Sequence, residues 1–204
     1  MNVKSISSIC INCGSNSGRG DVYLEAAVEL AQYLAQHKIK IVYGGAAVGL
    51  MGKIADTALQ LGGEVVGVIP NSIADKVGHK GLTKLYLTNT MHERKALMFK
   101  LSDAFIGLPG GYGTLEEIFE VLTWAQLGES QKPCGLLNVN GYYDELLNFL
   151  DHTVTEGFMR IEHREMLLTA TTGRDLLANI LKYQAPTVSK WIRNNSACED
   201  SENL

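Results

Sequence analysis

The chain has 204 residues, 46% hydrophobic and 20% charged, with a mean hydropathy of +0.01, the profile of one globular domain large enough to bury a full core. A net charge of −4 and a pI near 5.7 exclude the basic face of a nucleic-acid-binding surface, while leaving room for a local basic pocket that holds one phosphate. No run of about eighteen apolar residues is present to span a membrane, and the N-terminus lacks the apolar stretch of a signal peptide. The cysteines (Cys10, Cys13, Cys134, Cys198) are too scattered for a disulfide framework, so a cytoplasmic protein is expected.

In chain order, β-prone runs alternate with amphipathic helical patterns. A first strand over Ile6–Cys13 runs into CGSNSGRGD, followed by a helix over Val22–His37 whose apolar residues Leu24, Ala27, Val28, Ala31 and Leu34 recur at three and four. A strand at Lys40–Tyr43 runs into YGGAAVGLMG and a helix at Leu50–Leu61. A strand at Glu64–Ile69 leads to the polar segment Asn71–Thr83, read as a loop, and then to a strand at Lys84–Thr88. MHERK (Met91 to Lys95) opens a helix over His92–Ser102; a strand at Ala104–Leu108 then runs through LPGGYGTLEE into a helix over Leu115–Leu127. Strands at Gly135–Val139 and, more weakly, Leu167–Thr171 alternate with helices at Tyr142–Glu156 and Arg174–Tyr183. Periodicity ends near Val188, so residues 1–187 form the nucleotide-binding catalytic domain and 188–204 a flexible tail.

Alternating βα units specify a single-domain α/β fold, a Rossmann-like parallel sheet with helices on both faces. Cys10 and Cys13 form a C-x-x-C within a strand, which sends positions i and i+3 to opposite faces, so neither a redox pair nor half a zinc site is expected. The glycine-rich turns follow the first, second and fifth strands and gather at one sheet edge, where open α/β sheets bind ligands.

Neither common nucleotide code fits these turns. Around Gly52-Lys53 a P-loop would need glycine at Ala47 and a hydroxyl at Ile54. A dinucleotide fingerprint counted from Gly111 and Gly113 places Glu116 where its third glycine belongs, and a carboxylate there is badly placed against a pyrophosphate. A monophosphate still suits Gly111–Thr114, where turn amides and a helix N-terminus form an anion site. Thr114-Leu115-Glu116-Glu117 also matches the capping box S/T-x-x-E, so Glu117 reads equally as a helix cap and as a catalytic carboxylate. His92 is a candidate beside Arg94 and equally a helix-start residue; His37, His79, His152 and His163 read as surface residues. Tyr43 suits either a pocket or the core, Tyr142 and Tyr143 read as packing residues, and Met51, Met91 and Met98 as core. Ser15, Asn16 and Thr114 are candidate phosphate or ribose contacts.

At these residues the chain resembles the Lonely Guy family, cytokinin riboside 5′-monophosphate phosphoribohydrolases, through PGGYGTLEE (Pro109 to Glu117), the family's PGGxGTxxE. The similarity extends to Cys13-Gly14-Ser15, to Tyr43 through Gly52, to MHERK, to TWAQLG (Thr123 to Gly128) and to LLNVNGYYD (Leu136 to Asp144). The resemblance implies hydrolysis of the N-glycosidic bond of an adenosine 5′-monophosphate, N6-modified or plain, to free base and ribose 5-phosphate. It implies Arg94 and Glu117 as catalytic residues, with Gly14, Ser15, Lys95, Gly110, Gly111, Tyr112, Gly113, Thr114, Leu115, Glu116 and Thr123 around the nucleotide. It implies no cofactor and no metal, a small-molecule nucleotide as partner, and a homodimer whose pocket is completed across the subunit interface. Some relatives carry a lysine decarboxylase label, but no Schiff-base lysine or pyridoxal phosphate cradle is discernible. Ala46 and Lys76 depart from the family pattern, which commonly has glycine and glutamate there. Two alternatives use the same residues: a general nucleoside-monophosphate nucleosidase, and a nucleotide-binding module without turnover.

Overall fold

In the computed structural model, which describes residues 6–188, one sheet of seven strands runs in the order β4-β3-β2-β1-β5-β6-β7, every neighbouring pair parallel. The strands are β1 (Ser8–Asn12), β2 (Lys40–Tyr43), β3 (Val65–Pro70), β4 (Lys84–Thr88), β5 (Ala104–Gly107), β6 (Cys134–Leu137) and β7 (Leu167–Ala170). The helices are α1 (Val22–Gln36), α2 (Gly49–Gln60), α3 (Asn71–Val77), α4 (Met91–Leu101), α5 (Tyr112–Gln126), α6 (Asp144–Thr155), α7 (Ile161–Arg164) and α8 (Gly173–Lys182). The expected Rossmann-like architecture is therefore present. The tail expected beyond Val188 lies outside the described residues.

The sheet is covered on both faces, which is why its central strands read as continuous apolar runs. On one face Ile9, Ile11 and Ile41 pack against Ala27, Leu30 and Leu34 of α1, Ile54 of α2 and Leu176 of α8. On the other, Cys10, Val42, Val66 and Phe105 pack against Met98 of α4, Ile118 and Val121 of α5 and Leu150 of α6. Cys10 and Cys13 fall in opposite layers, as the strand period requires, and burial raises both thiols well above their usual range. Neither is a reactive thiol.

Two segments differ from expectation. Asn71–Val77 is helical rather than loop: Ile73 and Val77, spaced four apart, share one helix face, and Pro70 supplies the extended N-cap. His163 is buried rather than exposed, bonded to Gln126 Nε2 at 3.2 Å and to the carbonyl of Val188 at 3.2 Å. At the opposite edge from the loops, one oxygen of Asp103 accepts the amides and hydroxyls of Ser7 and Ser8 at 2.8–2.9 Å, tying β1 to the start of β5.

Candidate active site

Strand order reverses between β1 and β5, so the crevice outside their carboxyl ends is the ligand position for this topology. The loops there are locked by close backbone approach. The Gly14 amide donates to Pro109 O at 3.0 Å and the Leu50 amide to Gly14 O at 3.2 Å. Gly49, at φ +56°, presses against the backbone of Ser15 with no space for a side chain. A cleft of about 470 Å³ opens over these loops, within the range of small-molecule sites. Asn12, Gly14, Ser15 and Gly111–Thr114 line one side, and Ala46, Val48, Met51, Ile73, Val77 and Met91 form an apolar wall. A second cavity of about 260 Å³, lined by Asn16, Ser17, Tyr23, Gly110 and Tyr142 among others, adjoins it at Gly14, Ser15 and Gly111.

The charged centre of the cleft is built by α4 and α5. Thr90 caps α4 by accepting from the Glu93 amide at 3.1 Å, while Glu93 reaches back to the Asn89 amide at 2.9 Å. This reciprocal cap fixes the first turn, from which Arg94 extends beneath the sheet edge. Its Nε donates to the carbonyl of Val68 at 3.1 Å and its Nη1 to Glu117 Oε1. Gly44 leaves space for the guanidinium, since a Cβ there would lie 2.5 Å from Nη2. The Arg94 and Glu117 side chains are only 12% and 15% exposed. Burial raises the Glu117 pKa, and the Arg94 charge and hydrogen bond only partly offset it.

The capping-box reading of Thr114 and Glu117 does not hold. Helix α5 begins at Tyr112 with Gly111 as N-cap and no side-chain cap, so Thr114 is already in the first turn and Glu117 in the second. That frees Glu117 to pair with Arg94. Its start also leaves the first-turn amides of α5 without intrahelical partners beside the cleft, where they can receive an anion.

The structure brings Gly14, Ser15, Gly111, Tyr112, Gly113, Thr114 and Glu116 together with Arg94 and Glu117 around this cleft. Gly110 lines the adjoining cavity. Three expected contacts lie elsewhere. Leu115 packs against the α4–α5–α6 core layer. Lys95 is clamped by Glu116 and Glu120 of α5 and lines a small cavity beside Glu117. Thr123 donates to the Phe119 carbonyl at 2.7 Å and lines a separate groove with Leu122, Gln126, Met159 and His163.

Other residues sort as follows. Met98 is core, but Met51 and Met91 line the cleft, because they stand at the carboxyl edge of the sheet rather than between layers. Tyr43 is core; Tyr143 is buried with its hydroxyl donating to Leu108 O at 2.6 Å, and the half-exposed Tyr142 donates to Gly110 O at 2.8 Å. His92 is exposed on the first turn of α4. Lys76 is exposed on α3, whose cleft-lining residues are its neighbours Ile73 and Val77. Ala46 pairs with Gly78 in an isolated antiparallel bridge that holds the end of α3 over the cleft. Sequence reasoning missed Asn12, Ile73 and Val77. The available signals were a polar residue closing an apolar strand and an i, i+4 apolar pair in a polar segment.

Residues 51–180 match a family described as possible lysine decarboxylases. The chain is 47% identical over 176 residues to a cytokinin riboside 5′-monophosphate phosphoribohydrolase of Oryza sativa subsp. japonica, covering 86% of this chain and 73% of that protein. It is 44% identical over 177 residues to one of Arabidopsis thaliana, covering 86% and 78%. Among solved structures it is similar to the molybdenum cofactor binding protein of Rippkaea orientalis, with a TM-score of 0.66 at 21% identity over 86% of this chain and 96% of that one. It also resembles DNA processing protein A of Streptococcus pneumoniae, with a TM-score of 0.54 at 15% identity over 85% and 61%. At these identities the structural likenesses describe the fold alone.

Proposed function

The chain belongs to the Lonely Guy family of cytokinin riboside 5′-monophosphate phosphoribohydrolases, and on that footing we propose that Arg94 and Glu117 carry the reaction in the cleft between β1 and β5. The reaction is hydrolysis of the N-glycosidic bond of an N6-modified adenosine 5′-monophosphate, releasing free base and ribose 5-phosphate. The observation that carries the assignment is the buried Arg94–Glu117 pair at the topological switch point.

Cleavage builds positive charge on C1′ and O4′ and negative charge on the departing base, as in glycoside hydrolysis. Glu117, as carboxylate, faces the developing cation and orients the water whose oxygen bonds to C1′ as the C1′–N9 bond breaks. The proton from that water is the one the released base ultimately carries. A guanidinium keeps its protons and serves as a donor only; with Nε and Nη1 of Arg94 engaged, its remaining donors serve the leaving base as charge-assisted hydrogen bonds. A positioned acid–base group contributes about 10²–10⁴ in rate, so the 5′-phosphate, seated on the first-turn amides of α5 and on Ser15, supplies orientation as well. The apolar wall of Ala46, Val48, Met51, Ile73, Val77 and Met91 supports a base with an apolar N6 substituent.

A homodimer completes this reading. Phe158, Phe149, Ile161 and Leu127 are 87%, 60%, 52% and 47% exposed near the groove that holds Thr123, an apolar patch of the kind interfaces cover. Pairing there would bring Thr123 toward a partner's cleft and account for its distance from its own. Buried thiols that need no oxidising setting fit a cytoplasmic protein. Incubation with N6-isopentenyl-AMP and with AMP tests the function: release of base and ribose 5-phosphate supports it, release at equal rates makes it a general nucleosidase, and no release from either leaves a binding module.

A further inference from the structure

The carboxyl ends of the three central strands form a floor beneath Arg94 and Glu117. Asn12 of β1 is in register with Gly107 of β5, and one step beyond the Ile11–Tyr43 pairing Gly44 stands on its other side. The row two residues earlier, Val42, Cys10 and Phe105, packs into the α4–α5 layer, so the strand period sends Gly44, Asn12 and Gly107 to that same face. The Arg94 guanidinium lies over Gly44 and the Ile118 side chain over Gly107. Asn12 is thus the one residue of this row with a side chain of its own, and it is 3% exposed.

Its Oδ1 accepts from the Cys10 thiol at 3.5 Å, and burial keeps that thiol protonated. The amide nitrogen is therefore turned away from Cys10, and it donates to no group among the described residues. Glu117 is in the same condition: its Oε1 takes the hydrogen bond from Arg94, and its Oε2 has no partner among them. A buried amide donor without a partner is costly, so a ligand for it is expected. Behind the cleft lies a space of about 20 Å³ closed by Cys10, Phe105 and Trp124 among others, and Asn12 and Glu117 are the two residues that line both it and the cleft. That volume holds about one water, and Asn12, Glu117, Glu120 and Lys95 supply the polar partners a buried water needs.

We propose that Asn12 is a further catalytic residue: its amide nitrogen and the free oxygen of Glu117 hold, between the small pocket and the cleft, the water that attacks C1′. This rests on the reading above in that the cleft hydrolyses a nucleotide. A bound nucleotide displaces bulk water from the cleft, and the pocket keeps one molecule back. The water oxygen bonds to C1′ while the electron pair of the C1′–N9 bond leaves with the base. One water proton passes to Glu117 and ultimately to the released base, and the hydroxyl stays on ribose 5-phosphate. Asn12 donates to the water oxygen and fixes its direction, which sets kcat and leaves nucleotide affinity alone.

The test compares wild type, Asn12→Leu and Asn12→Ser on N6-isopentenyl-AMP, with and without methanol as a competing nucleophile. Asn12→Leu, similar in shape but without a donor, lowers kcat about 10²-fold and leaves KM within about twofold. Wild type forms ribose 5-phosphate alone, because the pocket admits water and excludes methanol. Asn12→Ser opens the pocket and forms the methyl riboside 5-phosphate as well. Methanolysis by wild type in proportion to the methanol supplied, or an Asn12→Leu kcat within about threefold of wild type, overturns the proposal. A KM raised about tenfold with an unchanged product ratio makes Asn12 a nucleotide contact and also overturns it. Should Asn12→Leu not fold, a crystal structure of nucleotide-free wild type decides: a water bonded to both Asn12 Nδ2 and Glu117 Oε2 supports the assignment, and its absence refutes it. Absence of that water in an enzyme that releases base overturns this proposal alone, whereas no release by wild type overturns the reading it rests on.

Discussion

Replacing Gly44 with alanine separates the architecture of the site from the stability of the fold. Gly44 is not among the positive-φ glycines, so its backbone accepts an L side chain without strain. The added Cβ would stand 2.5 Å from Arg94 Nη2 and 3.3 Å from Met51 Sδ, where ordinary contact begins near 3.4 Å. The guanidinium must therefore withdraw by about 1 Å, and it can, because it is the far end of a flexible side chain. A displacement of about 1 Å in a reacting group costs on the order of 10²-fold in rate. The same substitution narrows the unfolded ensemble, which stabilises by about 0.4–1 kcal/mol where the backbone is compatible. Steady-state kinetics on AMP should show kcat/KM about 100-fold lower, with a Tm equal to or slightly above wild type. Gly49→Ala is the contrast: at φ +56° against the Ser15 backbone, it should lower Tm outright. A Gly44→Ala enzyme within threefold of wild-type kcat/KM would show that the observed Arg94 position is not the working one.

Further outcomes follow from charge and packing. Because burial raises the Glu117 pKa and the carboxylate is the active form, kcat should fall as pH drops through a value above the ordinary glutamate range; a rate that stays flat into that range contradicts the assignment. At Asp103, burial raises the pKa but the Ser7 and Ser8 hydrogen bonds outweigh it, leaving the folded-state value lowered. Its stabilisation is thus complete above the unfolded-state pKa and lost as pH falls through the folded one, and Asp103→Asn should cost about 1–2 kcal/mol in urea unfolding at neutral pH. Phe158→Asp should convert a dimer to a monomer in sedimentation velocity and reduce turnover; a variant still dimeric places the interface elsewhere.

The layered fold was legible because each central strand is flanked by an amphipathic helix, and the C-x-x-C resolved correctly from the strand period alone. Helix starts were harder. Of three S/T-x-x-D/E runs, at Thr90–Glu93, at Thr172–Asp175 and at Thr114–Glu117, the first two cap a helix and the third does not. At the third, Gly111 takes the N-cap and the helix begins before Thr114, a choice made by the tertiary pairing of Glu117 with Arg94. Residue type placed Met51 and Met91 in the core, where position at the sheet edge decides otherwise. That Arg94 pairs with Glu117, and Lys95 with Glu116 and Glu120, depends on packing against β3 and α5, which sequence alone does not reveal.

In the proposed reaction Glu117 and Arg94 together break the N-glycosidic bond of a nucleoside 5′-monophosphate. Its most direct test is simultaneous quantification of free base and ribose 5-phosphate from N6-isopentenyl-AMP with wild type and Glu117→Gln, alongside binding of the nucleotide to the variant. The expected result is equimolar release by wild type and, in the variant, turnover lower by at least about 10² with binding retained. No release by wild type, or a folded Glu117→Gln variant that keeps wild-type turnover, contradicts the account.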